Sequence, residues 1–393
     1  MAGRVLAIPR PACEGAQPEI ANPEIAQLLQ RAPVMDHLPN PHRRRGLPPG
    51  PHLAEGEVLA DPAAARALFA QCPKAGASPL LALPTLAAPL GLATLHAKDE
   101  RGRCGLGSFK ALGAAHAIAR AAADRVAAGA AEHATALSGV TYVCASAGNH
   151  GLSMAAGARL FGAAAVVLLA DTVPEAFAGR LRAKGARVIR HGAVYDEAMV
   201  EARRLAVAEG WELLSDSSWP GYTAPAAAVM EGYLITAAEA VAEMPSPPTH
   251  VFLQAGVGGL AAAVAAHLRR AWGAGPRIVV VEPEAAPCLI ESVRAGFPRR
   301  VEGPESAMGR LDCKEPSHLA LACLAREADD FVTVGERAAA ETVAWLSGEG
   351  IETTPSGAAG VTALRHVGQA RTALGLDADS RVLVWLSEGP EEA

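Results

Sequence analysis

The sequence predicts an α/β fold built on parallel sheets, and three observations carry that expectation. From about Leu92 onward, short β-branched or apolar runs alternate with alanine-rich helical stretches. That is the rhythm of strands joined by crossover helices. The runs 278–281 and 382–386 are apolar without alternation, as strands buried on both faces must be. The chain is also long, 393 residues of which 50% are hydrophobic. This suits two domains or one large sheet with an insertion, and the core needs neither disulfides nor a structural metal.

Residues 1–75 are rich in Pro, Gly and Arg and read as an N-terminal extension. Short helical patterns fall at 24–31 and 62–71, with turns at 46–51. Beyond it, strands are predicted at 92–97, 141–145, 164–170, 187–190, 250–254, 277–281, 330–334 and 381–386. Helices are predicted between them at 109–128, 151–160, 175–184, 196–209, 225–243, 259–271, 337–347 and 357–372. Ligands of open α/β sheets bind beyond the carboxyl ends of the strands, so the loops leaving these strands are where function is sought.

Composition narrows the classes. A net charge of −6 with mixed signs argues against a nucleic-acid surface. The longest apolar stretches, such as 162–170, are too short to span a membrane, and no signal-peptide h-region opens the chain. Seven cysteines are scattered without zinc spacing, which suggests a reducing compartment and no metal site. Whether Cys288 and Cys313 pair is left open. The expected location is the cytosol.

Four loops carry chemistry. After 251–254 comes Ala255-Gly256-Val257-Gly258-Gly259, then a helix; glycines there let backbone N–H groups approach an anion. A phosphate monoester, a dinucleotide (with Glu282 as ribose acid) and a plain tight turn all fit this loop. After 141–145 comes Ser146-Ala147-Gly148-Asn149-His150-Gly151, donors suited to a carboxylate and a phenolic oxygen, or simply a helix cap. In Gly107-Ser108-Phe109-Lys110, a lysine opens a predicted helix with no acid nearby in sequence. The macrodipole there should lower its amine pKa and favour nucleophilic chemistry. Finally, Ser387 follows the last strand, as a site hydroxyl or a turn residue.

Taken in order, Ser108-Phe109-Lys110, Ser146-x-Gly-Asn-His, the glycine-rich loop and Ser387 resemble the fold-type-II pyridoxal-phosphate enzymes, the tryptophan-synthase-β and threonine-dehydratase superfamily. Within it the likeness runs to the diaminopropionate ammonia-lyase family. Ala97-Lys98-Asp99-Glu100, Asp216-Ser217-Ser218-Trp219-Pro220-Gly221-Tyr222, Val281-Glu282-Pro283, the segment 308–316 and Ser387-Glu388-Gly389 support it. The resemblance covers roughly residues 75–390. It explains Lys110 and Asn149, which a dinucleotide site does not.

The resemblance implies two lobes, each an open, mostly parallel sheet flanked by helices. The larger would comprise 1–115 and 230–393, with 116–229 inserted as the smaller. It implies that Lys110 binds pyridoxal phosphate covalently and later moves protons. Gly256, Val257, Gly258 and Gly259 would cradle the phosphate, Asn149 would bond the 3′ oxygen, and Ser387 would face the ring nitrogen. Ser146, Ala147, Gly148 and His150 would hold the substrate carboxylate. The implied reaction is α,β-elimination of a β-substituted amino acid, 2,3-diaminopropionate first, to pyruvate and ammonia. Serine/threonine or hydroxyamino-acid dehydratases are the alternative; a dinucleotide oxidoreductase or a non-catalytic binder is more remote. The family's lyases carry an acid where this chain has Ala147, a residue that serves the D-substrate, whereas the acid serving the L-substrate matches Asp216. An L preference follows. A homodimer is also implied.

Overall fold

A computed structural model of the protein describes residues 35–50, 52–129, 132–146 and 148–390. The helical pattern at 24–31 and Ala147 therefore lie outside the described residues.

The chain opens with β1 (His37–Pro39), α1 (Ala63–Phe69), β2 (Leu80–Ala82), α2 (Pro84–Ala87), β3 (Thr94–Asp99) and α3 (Ala114–Ala127). A second run follows: β4 (Thr141–Ala145), α4 (Asn149–Leu160), β5 (Ala164–Leu169), α5 (Glu175–Ala183), β6 (Arg187–Arg190), α6 (Tyr195–Glu209) and β7 (Glu212–Leu213). After α7 (Ala224–Glu243) come β8 (His250–Gln254), α8 (Gly259–Trp272), β9 (Arg277–Pro283), α9 (Cys288–Ala295) and α10 (His318–Glu327). The chain closes with β10 (Asp330–Val334), α11 (Glu336–Gly348), α12 (Pro355–Arg365), α13 (Ala370–Leu374) and β11 (Arg381–Leu386).

Among the described residues these strands form two sheets, seven strands ordered β1-β10-β9-β8-β11-β3-β2 and four ordered β6-β5-β4-β7. In the larger sheet β10, β9, β8, β11 and β3 run parallel, and only the edge strands β1 and β2 are antiparallel. The smaller sheet is parallel throughout. Register brings the functional loops to one edge. Leu386 pairs with Asp99 and Val384 with Phe252, so β3, β8 and β11 end side by side.

Small residues let the helices close on the site. A side chain at Gly232 of α7 would collide with the Leu112 carbonyl oxygen, and one at Gly157 of α4 would lie 2.8 Å from Ala115 Cα. The alanines of α8 from Ala261 to Ala265 are wholly buried. The alanine richness of the sequence thus serves close approach of helix to helix and of helix to the turn carrying Lys110.

Three expectations change. The helix expected at 109–128 is a 3₁₀ turn (Phe109–Leu112) and then α3, because Gly113 between them leaves helical geometry. The helix expected at 357–372 breaks into α12 and α13 around Gly368, whose φ is +45°. The strand expected from Leu92 begins at Thr94, after Gly91 at φ +62°.

Candidate active site

The glycine-rich loop leaves β8 and enters α8. Gly258 sits at φ +99°, a left-handed conformation that favours glycine. A side chain at Gly256 would meet Cys313 Sγ at 2.9 Å and Leu311 Cα at 3.1 Å. The flanking backbone bonds run from Ala255 N–H to Val281 O and from Ala262 N–H to Gly258 O. Between them, among the described residues, the amides of Gly256, Gly258 and Gly259 find no backbone carbonyl. Unpaired amides at the start of a helix form an anion cradle. Glu282 does not serve as a ribose acid here: it is fully buried and accepts the N–H groups of Leu289 and Ile290, each at 2.7 Å. Cys288 and Cys313 are free thiols, and the Cys288 thiol lies 3.7 Å from the Gly256 carbonyl oxygen.

The lysine turn is fastened to the last strand. Phe109 N–H donates to Ser387 O at 3.0 Å, and Ser108 pairs with Glu388 as an isolated bridge. This leaves Lys110 facing the loop after β7. Its Nζ donates to Asp216 Oδ2 at 2.5 Å. Burial alone would lower the Lys110 amine, but the Asp216 charge, the Tyr233 hydroxyl and the Asp216 hydrogen bond together outweigh it and hold the amine above its ordinary value. Conversely, burial pushes the Asp216 carboxyl up, yet Lys110 and then His150 hold it well below the usual carboxylate range. The expectation of a lowered amine is thus reversed. A single 3₁₀ turn carries little macrodipole, and the deciding acid stands in another part of the chain.

His150 closes this cluster. Its Nε2–H donates to the Leu214 carbonyl at 2.8 Å, and its Nδ1 lies 4.0 Å from Asp216 Oδ2. Burial lowers its pKa, so the ring is neutral at physiological pH.

Ser146 acts as a cap: its Oγ accepts the N–H groups of Gly148 and Gly151 at 3.2 and 3.1 Å. Asn149 opens α4 and donates through Nδ2 to Glu388 Oε2 at 2.7 Å. The other oxygen of Glu388 accepts from Thr354 Oγ1 at 2.5 Å. Ser387 is buried, and its Oγ accepts from Gln254 Nε2 at 3.1 Å. The structure therefore gathers Lys110, Asp216 and His150 into one cluster. It ties Asn149 to the Ser387–Gly389 turn and sets the glycine loop beside them. The sequence assigns no role of their own to Glu388, Gln254 and Tyr233, because each lies inside an element or next to a more conspicuous residue.

Residues 72–388 match the family described as pyridoxal-phosphate dependent enzyme. The chain belongs to this family. Among its relatives, the diaminopropionate ammonia-lyase of Salmonella typhimurium is 33% identical over 359 residues, covering 82% of this chain and 87% of the relative. The L-threonine ammonia-lyase of Thermotoga maritima is 27% identical over 66% of this chain and 59% of its own. Crystal structures of the Escherichia coli diaminopropionate ammonia-lyase also match. The complex with D-serine superposes with a TM-score of 0.80 at 28% identity, covering 91% of this chain and 94% of that one. The complex with an aminoacrylate–pyridoxal phosphate azomethine intermediate gives a TM-score of 0.80 at 29% identity over the same shares.

The residues fit the family's cofactor. The glycine loop offers amides for a phosphate, Lys110 offers a primary amine, and polar atoms buried around them lack partners. Among the described residues these include Ser108 Oγ, His150 Nδ1 and Tyr233 OH. A buried polar atom without a partner costs about 1–3 kcal/mol, a cost removed when a polar ligand bonds it.

Proposed function

We propose that this enzyme eliminates the β-substituent of an L-amino acid, with 2,3-diaminopropionate as substrate, and releases pyruvate and ammonia. The observation that carries the reading is the Lys110–Asp216 pair beside an anion-binding glycine loop. The named relatives support the reaction class and the substrate. When bound, pyridoxal phosphate would supply the electron sink that acidifies the substrate Cα–H. In this reading Gly256, Val257, Gly258 and Gly259 hold its phosphate, Asn149 its 3′ oxygen, and Ser387 faces its ring nitrogen. A hydroxyl there does not keep that nitrogen protonated as a carboxylate would.

The chain's own residues do the proton work. Burial pushes Asp216 up, and it is held low chiefly by the Lys110 charge, with His150 and hydrogen bonds adding to it. When Lys110 is no longer a free ammonium, burial raises Asp216 toward the range of a general base. Lys110, once free again, is a neighbouring amine for the returning proton. The backbone of Ser146–His150, with Ala147 and Gly148 between, holds the substrate carboxylate, and the Ser146 hydroxyl shapes that turn as its cap. The chain has alanine at 147, where the resemblance puts the acid that serves the D-isomer, so the D-isomer lacks the base that Asp216 gives the L-isomer.

The same reading takes the smaller sheet's lobe (116–229) as an insertion between 1–115 and 230–393, and the working unit as a cytosolic homodimer. Among the described residues no helix is long and apolar enough to cross a membrane.

Turnover of D- and L-2,3-diaminopropionate, L-serine and L-threonine tests the substrate. L-diaminopropionate should lead its D-isomer by at least about tenfold, a difference of roughly 1.4 kcal/mol in barrier. Equal rates on the two enantiomers contradict the L preference, and faster release from serine or threonine makes hydroxide the leaving group.

A further inference from the structure

Two residues beyond Asp216, the chain is pinned to a distant helix by an exchange of capping groups. Ser317 stands at the N-cap of α10, yet its side chain makes no capping bond to that helix. Ser218 makes the bond instead: its Oγ accepts the N–H of Leu319, the second residue of α10, at 2.9 Å. The freed Ser317 hydroxyl turns to Ser218, meeting its Oγ at 2.7 Å and accepting its N–H at 3.1 Å. The Ser218 carbonyl accepts the N–H of His318 at 3.0 Å. Both serines are essentially inaccessible, at 1% and 0% exposure, so water does not replace these bonds.

The same residue reaches the cofactor loop. Ser317 N–H donates to the Val257 carbonyl at 3.0 Å. A side chain at Gly259 would stand 3.9 Å from the Asp216 carbonyl oxygen. Asp216 is thus held at a fixed distance from the glycine loop by a short bridge, Asp216–Ser218–Ser317–Val257. On the far side, the Tyr222 hydroxyl accepts Ser215 N–H at 2.9 Å and donates to Leu213 O at 2.8 Å. That bond anchors the turn to its own strand and leaves its position against the loop to the serines.

We propose that Ser218 and Ser317 are positioning residues that fix Asp216 against the glycine-rich loop, and through it against Lys110. Catalysis requires the base within hydrogen-bond reach of its proton, and a shift of about 1 Å can cost roughly a hundredfold in rate. The pair acts through Asp216 and touches neither substrate nor cofactor. The inference rests on the reading of Asp216 given above.

The test is the Ser317→Ala holoenzyme, with Ser218→Ala as a second variant; both keep the backbone N–H of residue 317 to Val257 and remove only the side-chain exchange. Turnover of L-2,3-diaminopropionate is measured against pH, together with pyridoxal phosphate affinity. We expect kcat to fall about tenfold with KM little changed and cofactor still bound. The acidic limb of the kcat profile should move, as Asp216 changes its burial and its distance from Lys110. Wild-type kcat, or a loss of kcat with the acidic limb unmoved in whichever variant folds, overturns the proposal. A wild-type enzyme that releases no ammonia from any of the amino acids named above sinks the functional reading instead, so the two failures are told apart.

Discussion

Lys110 and Asp216 are 106 positions apart, and neither residue's chemistry is legible without the other. In sequence Lys110 stands without an acid, and the helix-start argument lowers its amine. In space the carboxylate of Asp216 raises it. A pH test follows from the signs. Asp216 is depressed in the folded state, so its contribution to stability is present above the unfolded carboxylate value near ~4 and lost as pH falls through the folded one. The Lys110 amine is raised, so its contribution is present below ~10 and lost as pH rises through its folded value. In cofactor-free enzyme, Asp216→Asn should therefore lower the urea midpoint at neutral pH, and the gap from wild type should narrow at strongly acid pH. A gap that is constant with pH would contradict the pairing. The roles of Asn149 and Ser387 were legible as a resemblance only. The carboxylate of Glu388 holding Asn149 was hidden because the two lie 239 positions apart.

Elements are legible in the sequence where they are long and periodic. The strands at 141–145, 187–190, 250–254, 330–334 and 381–386 fall where the apolar runs predict them. Strands β1, β2 and β7 were missed, since two or three residues are too few to display a period. Helices α9 and α10 were missed because they follow loops without a strand between them and so break the expected alternation. The glycines make the sharpest predictions at this scale. Gly258→Ala places a side chain in the left-handed region at a cost of about 1–2 kcal/mol, which should weaken pyridoxal phosphate binding roughly tenfold by absorbance titration. Gly232→Ala drives a methyl into the Leu112 carbonyl and should displace the Lys110 turn. Its activity should fall further than its thermal midpoint suggests, whereas parallel losses would mark Gly232 as a packing residue alone.

At the scale of the molecule, loops from the two sheets meet at Lys110, Asp216 and Asn149, and buried charge braces the larger sheet. Lys98, at the end of β3, pairs with Glu239 and Glu243, while Arg103 clamps Glu100 and Glu239. Glu100 also accepts from Ser78 and Thr236, and Thr236 accepts from the indole of Trp385. Removing one cation from such a network strands its carboxylates, so Arg103→Met should destabilise by about 3–5 kcal/mol in chemical denaturation. A loss under about 1 kcal/mol would mean that water reaches the network. The α/β class and the parallel sheets were legible in the alternation of the sequence. The meeting of Lys110 with Asp216 was not, because it depends on how separate sheets face each other, which periodicity does not encode. That meeting is tested most directly by product release from L-2,3-diaminopropionate, comparing the pyridoxal-phosphate-loaded enzyme with its Lys110→Ala variant. The wild type should release pyruvate with ammonia and absorb near ~412 nm as a lysine-bound cofactor does, and Lys110→Ala should lose both. A colourless wild type that releases no pyruvate, or a Lys110→Ala variant as active as wild type, would contradict the account.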